Sequence, residues 1–141
     1  MLVRLLYVSR TREPITADQA ADIVCDARDY NPAHGITGML CYRDKMFIQL
    51  LEGGRTQVNA LYARILADPR HHEVMLLDYA EISERRFADW TMGRVNLEKQ
   101  NPSLLLKYAE TPVLDPYELS GKVVLALIEE MIHSAVVVPA P

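Results

Sequence analysis

Four side chains in this 141-residue chain pair redox or proton-relay capacity with strand-like surroundings: Tyr7, Gln49, Trp90 and Met92. A phenol and an indole give up electrons, a thioether is polarisable, and an amide donates and accepts at once. Gln49 is the most demanding of the four. It sits midway along Met46 to Glu52, an almost wholly apolar run that reads as a strand covered on both faces. An amide left unpaired there costs about 1–3 kcal/mol, so Gln49 needs a wet surface or a polar partner inside the core. Asn31, in Asn31-Pro-Ala-His-Gly35, adds a second amide beside a chain reversal. Singly, each residue except Gln49 is accounted for as ordinary core or, for Asn31, as a helix C-cap. Together, a tyrosine hydroxyl and a buried amide in one small core point to a polar ligand between helices and sheet.

Other chemistries lack their parts. No nucleophile motif accompanies the histidines His34, His71, His72 and His133, which read as surface residues. The His71-His72 pair has no further ligands for zinc, so no metal is expected. There is no glycine-rich phosphate loop. Cys25 and Cys41 sit in apolar segments and read as reduced, buried thiols of a cytoplasmic protein. Half the residues are hydrophobic, enough for a core, and a net charge of −4 gives no reason to expect nucleic acid or an acidic membrane as partner. No apolar run is long enough to span a bilayer, and Met1 leads into a strand-like segment rather than a signal peptide.

The elements that must position these residues follow from periodicity and punctuation. Leu2 to Ser9 alternates as a strand, with Val3, Leu5, Tyr7 and Ser9 on one face and Arg4, Leu6 and Val8 on the other. Thr16-Ala-Asp-Gln19 fits a capping box opening a helix to about Tyr30, which Pro32 and Gly35 end. Ile36 to Tyr42 and Met46 to Glu52 form a hairpin around Arg43-Asp44-Lys45. Gly53-Gly54 leads into a helix from Arg55 to Ala67, where Val58, Leu61, Tyr62, Ile65 and Leu66 repeat at helical spacing. Arg64 and Asp68 lie four apart at its edge. Val74 to Glu81 and Trp90 to Asn96 predict the fourth and fifth strands. This β-α-β-β-α-β-β order predicts an α+β, ferredoxin-like fold: a five-stranded mixed sheet with two helices on one face. Ser103 to Glu110 and about Gly121 to Ser134 predict C-terminal helices, the last with a stripe of Val124, Leu127, Ile128, Met131 and Ile132 that would cover Leu6, Val8, Ile48 and Leu50 on the other face.

Ordered segments of the chain resemble the BLUF domain, a blue-light sensor that binds flavin. They are Leu6-Tyr7-Val8-Ser9, Asn31-Pro-Ala-His-Gly-Ile-Thr-Gly38, Phe47-Ile-Gln-Leu-Leu-Glu-Gly53, Asp68-Pro-Arg-His-His72 and Arg86-Phe-Ala-Asp-Trp-Thr-Met92. The combination is specific and spans residues 2 to 96. Leu105-Leu-Lys-Tyr108 further resembles the short, stand-alone members of cyanobacterial type.

The resemblance implies a flavin-binding domain over residues 1–97, a helical extension over 98–141, and FAD, or FMN, between the two helices. It assigns Tyr7 as photochemical electron donor, Gln49 as the bridge from that tyrosine to the flavin, and Asn31 as the contact to the pyrimidine edge. Ile23 would pack on the ring, and Arg64, Asp68, Arg70 and His71 fall where members meet the ribityl chain and phosphate. Tyr30 departs from the polar residue often found before the key asparagine. Trp90 and Met92 would carry the signal along the fifth strand to the C-terminal helices. With no output domain in view, a separate signalling protein and homo-oligomer assembly through the C-terminal region are expected, and no enzymatic activity. Two other readings are a ferredoxin-like regulatory domain for a different small molecule, and an enzyme using flavin for thermal redox chemistry.

Overall fold

The computed structural model describes residues 1–89 and 91–132. In chain order the elements are β1 Leu2–Arg10, α1 Ala17–His34, β2 Thr37–Arg43, β3 Met46–Gly54, α2 Arg55–Ala67, β4 His72–Ile82, β5 Gly93–Asn96, α3 Pro102–Tyr108 and α4 Gly121–Ile132. The strand order is β4-β1-β3-β2-β5. β1 runs antiparallel to β3 and β4, β2 antiparallel to β3, and β5 parallel to β2. The apolar β3 thus occupies the centre of a mixed sheet, as its composition requires.

Strand alternation divides the core in two. Val3, Leu5 and Tyr7 of β1 pack with Ala20 and Val24 of α1 and Val58 of α2 on one face. Leu6, Val8, Ile48 and Leu50 pack with Leu105 of α3 and with Val124, Leu127, Ile128 and Met131 of α4 on the other. Both expected layers are present.

The Thr16–Gln19 capping box forms and starts α1. The helix does not stop at Tyr30; it continues through Pro32 to His34. Proline removes one N–H, but only the final turn follows it, so a single bond near a fraying end is lost. Gly35, at φ 65°, closes the helix and sends its N–H back to the Asn31 and Pro32 carbonyls. At Gly38 a Cβ would lie 1.9 Å from the Leu50 carbonyl oxygen, so β2 approaches β3 closely only with glycine there.

The fifth strand is shorter than its β-forming residues suggest. It spans Gly93–Asn96, with Met92 buried just before it. Trp90 lies outside the described residues. The link after β4 wraps the sheet: Phe87 is buried in the α4-side core and Met92 in the α1/α2-side core. Cys41 is buried, and burial pushes its thiol up to about 12. Cys25 instead is exposed, because it sits about 100° round α1 from the buried Val24. Among the described residues no helix is long and apolar enough to cross a membrane, and no group of three or more His, Cys, Asp or Glu is placed to hold a metal.

Candidate functional site

Tyr7 and Gln49 are direct partners in the β1–β3 ladder, so their side chains leave the same face of the sheet. The Tyr7 hydroxyl donates to Gln49 Oε1, and Gln49 Nε2 donates to Met92 Sδ at 3.9 Å. The polar partner that Gln49 requires is therefore Tyr7 on one side and a thioether on the other. Burial, with smaller contributions from Tyr62 and Asp68, drives the Tyr7 phenol far above its ordinary range, so it keeps its proton.

Around this pair α1 and α2 leave a cavity of about 230 Å³. α1 supplies Ile23, Asp26, Ala27, Tyr30 and Asn31, α2 supplies Leu61, Arg64 and Ile65, and the sheet supplies Tyr7, Leu40, Phe47 and Gln49. Asp68, Arg70 and His71 from the turn after α2 complete the wall. The gap exists because the facing stretch of α1 carries small Ala27. Eight residues singled out from sequence (Tyr7, Ile23, Asn31, Gln49, Arg64, Asp68, Arg70 and His71) all line this one cavity. Met92 reaches it through Gln49.

Each wall has its own chemistry. Asn31 is buried and donates through Nδ2 to the Thr91 carbonyl at 3.0 Å, which orients its amide. The Arg64 guanidinium stands 4.6 Å over the Tyr30 ring, and that ring stacks on His34. Arg70 grips Asp68 through Nε and Nη2, the latter at 2.7 Å, and holds the Asp68 carboxyl down at about 2. His71 is half-buried, not a free surface residue. Its Nδ1 is hydrogen-bonded to Ser9 Oγ at 2.9 Å, and burial lowers its pKa, so the ring is held neutral. A second cavity of about 290 Å³ adjoins the first and shares Ile23, Phe47, Arg70 and His71 with it.

Sequence reasoning passed over three residues. Tyr62 reads as part of the α2 stripe, yet its ring lies 5.6 Å from Tyr7. Ser9 orients His71; its shared parity with Tyr7 was the available signal. Glu52 reads as the end of a strand, yet it is completely buried and accepts from the Arg86 and Phe87 backbone N–H groups. Its parity with Ile48 and Leu50 puts a carboxylate on a covered face, where donors must meet it.

A family model described as sensors of blue-light using FAD matches residues 2–93. Photoactivated adenylate cyclase subunit beta of Euglena longa is 36% identical over 92 residues, 64% of this chain and 11% of that protein. Among solved structures, the photo-activated state of BlsA superposes with a TM-score of 0.84 at 29% identity, covering 100% of this chain and 99% of that one. BlrB, a BLUF protein in its dark state, gives 0.71 at 39% identity, covering 93% and 94%. The chain thus spans about a tenth of the cyclase it matches and nearly all of BlsA and BlrB.

Proposed function

The chain belongs to the BLUF family of flavin-binding blue-light sensors, and on that premise we propose that its cavity holds the flavin ring against Tyr7 and Gln49, with FAD as the bound form. The observation that carries this reading is the Tyr7–Gln49–Met92 line of hydrogen bonds at the floor of a cavity between two helices.

The donor set fits the group. Ile23, Ala27, Leu40 and Leu61 offer apolar faces to a flat ring, while the amides of Asn31 and Gln49 suit its polar edge. Arg64 and Arg70 would offer guanidinium groups to a phosphate-bearing tail, and the adjoining second cavity, which shares Arg70 and His71, supports room for a dinucleotide. Flavin supplies a blue-light-absorbing ring that, once excited, accepts an electron from a neighbouring phenol.

The chain's own residues do the rest. Tyr7 holds a phenolic proton that burial keeps in place in the dark. Loss of an electron makes a phenol strongly acidic, and the acceptor bonded to its hydroxyl is Gln49 Oε1. The proton moves along that bond. When the electron returns to Tyr7 the proton returns with it, so both side chains are neutral again, but Gln49 is left with a rearranged hydrogen-bond pattern in which its Nε2 no longer has the same relation to Met92. Met92 leads directly into β5 and from there to α3 and α4, so a local change at an amide biases a larger element.

Residues 1–97 then form the sensing unit and 98–141 its output extension, acting on a partner protein and assembling as a homo-oligomer. Relatives named as photoactivated cyclases support a role in controlling an effector. The two unpaired cysteines suit a reducing, cytoplasmic setting. The test is an absorption spectrum of the purified protein before and after blue light. A yellow protein with a reversible red shift is expected. A colourless one supports a regulatory domain for another ligand, and a yellow one without the shift supports thermal redox chemistry.

A further inference from the structure

We propose that Glu52 is the positioning residue that holds Met92 against Gln49, acting from the opposite face of the sheet through the segment that joins β4 to β5. The proposal rests on the reading of Gln49 as the light-responsive amide.

Glu52 and Gln49 lie three residues apart on β3, so their side chains leave opposite faces. Glu52 is completely buried on the α4 side. A carboxylate there is offset only by strong donors, and the donors are main-chain groups of one segment. Arg86 N–H donates to its two oxygens at 3.1 and 3.0 Å, and Phe87 N–H donates to one of them at 2.8 Å. Arg85 adds bonds from its guanidinium to Thr37 Oγ1 at 3.2 Å and to the Glu52 carbonyl at 3.5 Å. This end of the segment is therefore pinned to the middle of the sheet.

Five residues later the same segment has crossed to the other face. There Thr91 accepts from Asn31 at 3.0 Å, and Met92 Sδ accepts from Gln49 Nε2 at 3.9 Å. A thioether is a weak acceptor and cannot fix the segment alone. Charge-assisted bonds from backbone N–H to carboxylate are among the strong ones. One strand thus holds both ends of a strap, firmly at Glu52 and loosely at Gln49. The firm end sets the reach, and so the position of the sulfur beside the amide.

The experiment is a double-mutant cycle on the full chain loaded with flavin, reading the dark lifetime of the red-shifted state. The proteins are wild type, Glu52→Gln, Met92→Ala and the double variant. Glu52→Gln keeps the volume but turns an N–H donor toward the Arg86 N–H. We expect it to change the lifetime about five-fold or more in the wild-type background, and by no more than about two-fold in the Met92→Ala background, the difference expected of residues sharing one network. Equal changes in both backgrounds, or none in either, overturn the proposal. If Glu52→Gln does not retain flavin, Glu52→Asp carries the same cycle. If both lose flavin while Met92→Ala keeps it, Glu52 serves folding alone and the proposal fails. A wild-type protein without any light-induced shift overturns the underlying reading itself, a result distinct from these.

Discussion

Tyr7 and Gln49 stand opposite one another in the β1–β3 ladder, and the Tyr7 hydroxyl donates to the Gln49 amide oxygen. That bond sets the amide's direction: its oxygen faces the phenol and its nitrogen faces Met92. A rotation of the amide would exchange both partners at once, which makes this pair a two-position element held by a few hydrogen bonds.

Removing either member should abolish the light response while sparing the fold. Tyr7→Phe keeps the ring but leaves Gln49 Oε1 without its donor, at a cost of about 1–3 kcal/mol. Gln49→Leu keeps the approximate volume and removes the amide. Both variants should purify yellow, because Asn31, Ile23 and Arg64 remain on the cavity wall. Neither should show the reversible red shift, and Gln49→Leu should also displace the dark spectrum. A Gln49→Leu protein that photocycles normally would remove Gln49 from the mechanism.

Met92→Ala should retain the red shift and weaken the response further along the chain. Met92 is fully buried, and its truncation should cost about 2–5 kcal/mol through the cavity it leaves. The check is a pair of spectroscopic labels on β4 and α4, compared in dark and light. Disappearance of the red shift would assign Met92 to the photochemical step itself.

Stability should fall with acidity in two windows. Burial lowers the His71 pKa below its ordinary 6.5, so below that pH the unfolded chain takes up a proton that the folded chain resists. Stability is then lost as pH drops from about 6.5 toward the lowered value. Asp68, held near 2 by Arg70, gives a further loss as pH falls from about 4 to 2. Thermal unfolding across pH, with His71→Gln alongside, checks the first window. The variant should flatten the slope between pH 7 and 5, and an unchanged slope would discharge His71.

Deleting residues 98–141 should do more than change assembly. α3 and α4 cover Leu6, Val8, Ile48 and Leu50, each fully buried. Uncovering four such side chains forfeits about 1.5–3 kcal/mol apiece. The shortened protein should unfold at lower temperature and associate through the bared face. Light scattering with a melting curve tests this; unchanged mass and midpoint would mean that the face needs no cover.

The helices and the inner strands were legible because local signals agreed with tertiary need. The Thr16–Gln19 box and the α2 stripe each act within a few residues, whereas Gly53 and Gly54 remain ladder residues of β3 opposite Val3 and Leu2, with α2 starting at the next residue. Pro32 misled because its penalty depends on where in a helix it falls, and a last turn forgives it. The segment before β5 misled for another reason. Thr91 and Met92 lie in a strand-forming stretch of sequence, but Met92 is held by Gln49, a residue 43 positions away, and no local pattern encodes that. For the site, the buried amide at Gln49 and the phenol of Tyr7 pointed to a polar ligand, and the resemblance of ordered segments to a known family implied the other cavity-lining residues. Glu52 and Ser9 escaped because their partners, a backbone segment and a histidine ring, exist only once the sheet is folded.

The four residues of β5 pair on one side only, with β2, at the rim of the sheet. A strand so short, with one neighbour, opens at a small fraction of the free energy that guards β1 and β3. One hydrogen bond is worth about 1 kcal/mol, minor against a whole domain's stability but a larger share of what holds so short a strand. The rim is therefore the place where an input of that size can be read as a change in occupancy, while the backbone ladders at the centre of the sheet stay paired. Lengthening β5 by mutation would raise that threshold and leave the protein folded, coloured and deaf.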